Sequence, residues 1–344
     1  MTEVVPDVRP LTPPRVSKGE VSGRRRSARA VALLRFVMRR LVDFLGIIWA
    51  AATLTFLVLQ LTPGDPVDIL LQGRQGEITP DLYAAVRTQY GLDGSLAEQY
   101  LMHLRRIFTG DLGISYARNL PVTTVLSSEI GATVVLALTA LAMALVIAVI
   151  VSVLAVQHGV IARSTATAAE LFLLAMPTYW VGTLLLSVLS YRLHWFPATG
   201  GSGVSATMLP ALSIALPLSA TFTQILRPQL QLQLRETWFL TALTRGATTR
   251  RILWRQALRH AATPLLTLSG TVFGTLLGGA VLIENLFGRP GLGRITLAAI
   301  NAKDIPVILG VVVVSAVAFF LISTVVDLLY RVVDRRSGID GVIR

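Results

Sequence analysis

The stretch from Phe239 to Pro264, FLTALTRGATTRRILWRQALRHAATP, decides how the rest of the chain is read. It carries five arginines and one histidine, and it lies between the uncharged runs 195–226 and 261–283. An apolar run of about 20 residues is long enough to cross a hydrocarbon core of about 30 Å as a helix. Arginine gathered in a short connection between such runs marks that connection as cytoplasmic. The stretch is therefore expected to be the part of a membrane protein that is presented to something inside the cell.

Its local chemistry predicts two short helices at an angle. Thr241-Ala242-Leu243-Thr244 is compatible with a helix, and Gly246 can end that helix with a positive φ that bulkier residues resist. Thr248 or Thr249 can cap a second helix, whose first N–H groups otherwise lack partners. That helix carries Ile252, Leu253, Trp254, Ala257 and Leu258 among its arginines, and Pro264 fixes where the next segment begins. Spacing alone also fits an amphipathic helix lying on anionic lipid.

Composition supports a membrane class. Of the 344 residues, 53% are hydrophobic and 15% charged, against about 25% charged in average soluble domains. The net charge of +12 would suggest nucleic acid in a soluble protein. Here the arginines cluster in flanks and loops, so the positive-inside rule accounts for them and no nucleic-acid partner is expected. The chain has no cysteine, which excludes disulfides, thiolate metal sites and cysteine nucleophiles. His103, His158, His194 and His260 lie far apart without ligand-like spacing, so no metal site is expected.

Taken in order, residues 1–30 are rich in Pro, Arg and Ser and read as a disordered basic cytoplasmic tail. Residues 31–336 read as a six-helix transmembrane domain, and residues 337–344 as a cytoplasmic C-terminal tail. The expected spans are Phe36–Leu61, Ile130–Val156, Leu171–Leu193, Ala211–Leu226, Leu265–Ile283 and Ile305–Val326. Between the first two lies a long external loop, 62–129, with five Arg against eight Asp plus Glu. Helices are expected in it over Leu82–Gln89 and Leu96–Phe108, where apolar residues recur at helical spacing. A short turn with His158 and Arg163 follows the second span. Pro177 kinks the third span, Pro197–Pro210 reads as an external Gly/Ser-rich turn, and 228–263 is the cytoplasmic loop. Gly270, Gly274 and Gly278 form a GxxxGxxxG stripe on the fifth span, suited to close packing against a neighbouring helix or subunit. Glu284 falls at the membrane edge; it reads as a wet interfacial carboxylate, or as a gate or substrate contact. An even number of spans puts both termini on one side, and the Arg-rich ends and loop make that side the cytoplasm.

Several spaced elements resemble the permease subunits of ABC importers, in particular the dipeptide, oligopeptide and nickel branch. In that family an Ala, a Gly four residues later and a Pro some eighteen further on mark the helix that docks on the ATPase. Ala242, Gly246 and Pro264 stand at those positions, with Thr241, Arg245 and Arg250 beside them; the family's acidic residue at the motif start is replaced by Leu240. Thr62-Pro63-Gly64-Asp65-Pro66, Tyr90-Gly91-Leu92-Asp93, Gly110-Asp111-Leu112-Gly113 and Met176-Pro177-Thr178-Tyr179-Trp180-Val181-Gly182 resemble further family elements. So do Glu284-Asn285-Leu286-Phe287, Pro290-Gly291-Leu292-Gly293, Asp327-Leu328-Leu329-Tyr330 and Asp334-Arg335-Arg336.

The resemblance implies the type I importer permease fold, all-α, with a coupling helix in the cytoplasmic loop. It also implies a multi-pass place in the bacterial inner membrane and alternating access driven by ATP. The implied partners are a second homologous permease subunit, two P-loop ATPase domains, an extracytoplasmic substrate-binding protein and membrane lipid. The chain has no G-x-x-x-x-G-K-[ST]; its two lysines, Lys18 and Lys303, precede Gly and Asp. ATP and Mg2+ are thus expected on partner subunits, with no cofactor and no catalysis in this chain. Di- or oligopeptides are the implied cargo, with nickel chelates and glutathione-like compounds as alternatives. An ion-coupled secondary transporter is the rival from another class, although inverted repeats and ionisable mid-membrane residues are not evident.

Overall fold

In the computed structural model residues 18–61, 67, 80–89, 94–200 and 203–333 are described. The helices are α1 (Lys18–Leu61), α2 (Pro80–Gln89), α3 (Leu96–Phe108), α4 (Val122–Gln157), α5 (Gly159–Ala175), α6 (Thr178–Leu185) and α7 (Val204–Leu234). They are followed by α8 (Thr237–Thr244), α9 (Thr249–Ile252), α10 (Leu258–Ala261), α11 (Thr263–Gly279), α12 (Val281–Leu286), α13 (Leu292–Asn301) and α14 (Ile305–Val333). Wider π-helical turns extend α6 over Leu186–Arg192 and join α9 to α10 over Leu253–Ala257. The described residues contain no strand, only an isolated bridge between Ile114 and Pro121. Two compact units, residues 1–46 and 47–344, divide the chain within α1.

Helix α4 is the axis of the second unit. Ala137, Ala140, Ala144 and Ala148 are buried at spacings of three and four residues and so share one face. Side chains this small let another backbone approach closely in lipid, where dispersion and close contact replace the hydrophobic drive. Helix α7 takes that place. Ala144 and Ala148 pack with Ala215, Phe222, Leu226 and Leu230 at one end, and Leu136 and Ala140 with Leu209, Ala211 and Ile214 at the other. At its N-terminal end α4 meets α13 and α14 through Val122, Val125, Leu126, Leu292, Ile295 and Val307.

Among the described residues four unbroken stretches are long and apolar enough to cross a membrane: Met38–Val58, Val122–Gln157, Val204–Leu234 and Ile305–Val325. Two bent pairs, α5 with α6 and its extension, and Thr249–Ala261 with Thr263–Gly278, bring the number to six if each pair is one span. Pro177 does more than kink: α5 and α6 meet at 102°. Met176 there is extended with ψ 128, the conformation that a residue before proline favours, and Pro177 opens the next helix.

Other boundaries move for local reasons. Residues 18–30, part of the expected tail, are helical: Lys, Glu, Arg and Ala favour helix and no proline interrupts them. The second span begins at Val122, directly after Pro121. Only His158 separates α4 from α5, since Gly159 turns the chain at φ +82, and Arg163 is helical. The turn expected up to Pro210 ends at Gly203, so Pro210 lies inside α7 with Pro217 and Pro228. A break at Ala280 ends α11 early and places Ile283 in the separate helix α12.

Both loop helices read from periodicity are present, and α3 is closed by a capping box: Glu98 N–H donates to Ser95 Oγ and Ser95 N–H to Glu98 Oε2. Beyond α3, buried Asp304 accepts from Ser115 Oγ at 2.5 Å, Tyr116 N–H at 3.1 Å and Ala117 N–H at 3.3 Å. That carboxylate pins the 109–121 loop to the start of α14. The elements Thr62–Pro66, Tyr90–Asp93 and Asp334–Arg336, and the tail 337–344, lie outside the described residues.

Candidate functional site

The Arg-rich loop folds as two short helices around a glycine. Helix α8 closes with a reciprocal pair of turn bonds: Gly246 N–H donates to Leu243 O at 2.9 Å and Ala247 N–H to Ala242 O at 3.1 Å. This is the Schellman arrangement, which places the residue after the C-cap in the left-handed region. Gly246 has φ +82, and nothing lies within 4 Å of where its Cβ would be. Its requirement is conformational, not steric. Thr248 then accepts from Arg251 N–H at 3.4 Å and opens α9, as its sequence position predicts.

The root of the loop is buried and its tip is not. Ile252, Leu253, Ala257 and Ala261 are buried, and the last three pack on Leu226 and Leu230 of α7. Thr241, Arg245, Gly246 and all of Arg250, Arg251, Arg255 and Arg259 are exposed, as are Leu240 at 60% and Trp254 at 42%. Thr248, Arg250, Arg251, Trp254 and Arg255 line a shallow hollow of about 380 Å³. Ala242 is half-buried behind this surface, and Pro264 stands in the first turn of α11, where a missing N–H costs nothing. The arrangement is a cationic knuckle with Leu240, Leu243 and Trp254 exposed at its surface, leading from α7 into α11.

A second cluster forms around Glu284, which is 0% exposed. Thr133 Oγ1 donates to Oε1 at 2.7 Å, and the N–H groups of Gly293 and Arg294 donate to Oε2 at 2.8 and 3.3 Å. Leu292 N–H in turn donates to Thr133 Oγ1 at 2.8 Å. The carboxylate therefore caps α13, supplying negative charge and acceptors where the first helical turn has unpaired N–H groups. The reading of Glu284 as a wet interfacial residue is corrected: neighbouring chain segments surround it on every side. The two glycines that follow Pro290 make this possible. A Cβ on Gly291 would lie 2.3 Å from the Glu284 carboxylate, and one on Gly293 2.4 Å from Val281 Cα. Arg289 fastens the same loop to the start of α7, donating to Thr207 Oγ1 at 2.8 Å and Ala206 O at 3.3 Å. From α6, Gly182 reaches α12, its Cβ position 2.8 Å from Leu286 Cδ2. Through Gly182, then, the Pro177 element and the Glu284 element meet.

Of the glycine stripe, Gly274 packs as expected: its Cβ position is 2.2 Å from Phe319 Cδ2 on α14. Gly270 is buried, whereas Gly278 is exposed with nothing within 4 Å, so the stripe is not continuous packing within this chain. One interhelical ion pair links α5 to α7, Glu170 Oε2 to Arg227 Nη2 at 3.1 Å, with side chains 4% and 12% exposed. Arg227 Nη1 also donates to Thr167 Oγ1 at 2.7 Å and to Arg163 O at 3.2 Å.

Two family models match the sequence: residues 145–338 match the binding-protein-dependent transport system inner membrane component, and residues 33–137 match the N-terminal part of such components. The chain belongs to this family. It is 32% identical over 336 residues to the dipeptide transport system permease protein of Escherichia coli, covering 88% of this chain and 98% of the relative. The dipeptide transport system permease protein of Lactococcus lactis is 30% identical, with 88% and 99% covered. The glutathione transport system permease protein of Escherichia coli is 29% identical, with 88% and 98% covered.

As a permease subunit the chain is an all-α integral membrane protein, and the resemblance carried by its spaced motifs is confirmed. Sequence reasoning missed Thr133, the Ser115–Asp304 contact and the Glu170–Arg227 pair. Glu170 left a signal, as the one acidic residue between 130 and 235. Ionisable groups among apolar residues usually have partners. Thr133 left none, since a threonine in an uncharged helix is ordinary.

Proposed function

We propose that this chain is one of two permease subunits of an ATP-driven, binding-protein-dependent peptide importer, forming half of the pathway by alternating access. The observation that carries the reading is the loop 237–261, whose exposed cationic tip and buried root join a docking surface to two membrane helices. Thr241, Ala242, Arg245, Gly246 and Arg250 form the coupling surface, and Pro264 begins the helix that receives the motion. ATP and Mg2+ bind on two partner ATPase domains, and an extracytoplasmic binding protein delivers the cargo. Both termini and the loop lie on the cytoplasmic side of the inner membrane. ATP shifts the inward–outward equilibrium by the difference in its affinity for the two states, and the loop transmits that difference.

Substitution Gly246→Val tests this. Left-handed backbone costs a non-glycine residue about 1–3 kcal/mol, enough to distort the turn without reaching the buried root. The assembled complex in vesicles is expected to keep its ATPase subunits and its hydrolysis while dipeptide uptake falls. Uptake at the wild-type rate would remove the coupling role. The glutathione permease among the relatives supports a second cargo, and competition of glutathione against labelled dipeptide in the same vesicles distinguishes the two.

A further inference from the structure

Helix α3 holds the end of α1 by one edge and leaves its apolar face uncovered. Tyr100 OH lies 2.8 Å from Thr53 Oγ1, and Gln60 Nε2 donates to Gln99 Oε1 at 3.3 Å. Thr55 Oγ1 donates to Ala52 O at 2.8 Å and lies 3.1 Å from His103 Nε2, within hydrogen-bonding distance. The Phe56 ring is 5.2 Å from Tyr100 and 5.9 Å from His103, centroid to centroid. These contacts fall between Ala52 and Gln60, the last turns of the apolar stretch Met38–Val58. They fix the depth of α3: it is held against the terminal part of a span, not in a loop clear of the membrane. Burial lowers the pKa of His103 from the usual imidazole value, the charge of Arg106 lowers it further, and Ala52 acts in the opposite direction.

No residue of α3 is buried. Leu101, Leu104 and Phe108 recur at helical spacing on one face, with Leu101 64% and Phe108 50% exposed. Arg106 lies on the opposite side of the helix, and Arg105, four residues after Leu101, borders the apolar face. An amphipathic helix with a Leu/Phe face and basic flanks is suited to lie in a bilayer interface, with its apolar face about 5–10 Å into the headgroup–acyl boundary.

We infer that α3 is an interfacial helix: the Leu101–Leu104–Phe108 face rests in lipid at the membrane edge where α1 ends, with Arg105 and Arg106 toward the headgroup phosphates. This requires only that α1 spans the bilayer and is independent of cargo or coupling. The absence of cysteine makes the test direct. Single variants Leu101→Cys, Phe108→Cys and, on the polar face, Arg106→Cys carry a nitroxide label, none of them at a buried position. The full chain, assembled with the partners it is expressed with, is placed in vesicles of phosphatidylethanolamine and phosphatidylglycerol. Collision rates are measured with oxygen, which concentrates in lipid, and with a nickel chelate, which stays in water. Labels at 101 and 108 are expected to show an oxygen-to-nickel ratio severalfold above that at 106. Nickel access at 101 and 108 equal to that at 106 would overturn the inference in favour of water. Exclusion of both reagents would overturn it in favour of a covering protein surface.

Discussion

At the scale of single residues, the two glycine-dependent features differ in how they are written. Gly246 is legible because its reason is local: a helix ends, a left-handed residue follows, and a threonine cap comes two positions later. Gly291 and Gly293 are not legible in the same way, because what they avoid is Glu284 and Val281, brought there by a fold-back of the chain. The sequence shows Glu284 next to an apolar span, which suggests water; only the packed helices show that its solvent is replaced by Thr133 and two backbone N–H groups. This exchange can be tested. Thr133→Val keeps shape but removes the donor to Glu284 and the acceptor for Leu292 N–H. A buried group left without its partner costs about 1–3 kcal/mol. The unfolding midpoint of the detergent-solubilised complex should fall accordingly, and Gly293→Ala, whose methyl would meet backbone, should lower it further. An unchanged midpoint in both would mean that the carboxylate is not what holds α13 in place.

At the scale of elements, hydropathy locates helices well and their bends badly. The loop helices 80–89 and 96–108 and the cores of the spans follow from composition and periodicity. The 102° turn at Pro177 does not, since proline permits a range of angles and the packing of α6 on α12 selects one. The three prolines within α7 show the converse: each removes a backbone bond, yet the helix continues because α4 supports it along its alanine face. The glycine stripe on α11 makes the same distinction measurable. Gly274→Val drives a side chain into Phe319, and overpacking of this kind costs about 1–3 kcal/mol. Gly278→Val meets open space in this chain. The first is expected to lower the thermal midpoint of the subunit itself, and the second to leave it unchanged. A second subunit seated on Gly278 would show as weaker co-purification of that subunit with the Gly278→Val chain. Equal thermal losses from both variants would place Gly278 against a helix of its own chain.

At the scale of the whole molecule, exposed charge and apolar surface ask different things of their surroundings. The net charge is +12, and the five arginines between Phe239 and Pro264 are all exposed, three of them, Arg250, Arg251 and Arg255, lining a shallow hollow with Trp254. Exposed charge of one sign speeds and orients association with a surface of the other sign, and salt screens it over about 8–10 Å. The apolar faces of the spans make no such demand, because lipid or another permease helix serves them equally. Two kinds of association should therefore separate by chemistry. A mild-detergent pull-down on this chain should recover a second permease and P-loop ATPases. The double substitution Arg250→Glu and Arg255→Glu should release the ATPases while the second permease stays. Raised salt should mimic that release in the wild type. Loss of both partners together would mean that the loop also holds the permease pair. ATPases retained through both treatments would mean that docking is carried by the exposed apolar side chains Leu240, Leu243 and Trp254, with the arginines setting only which side of the membrane the loop occupies.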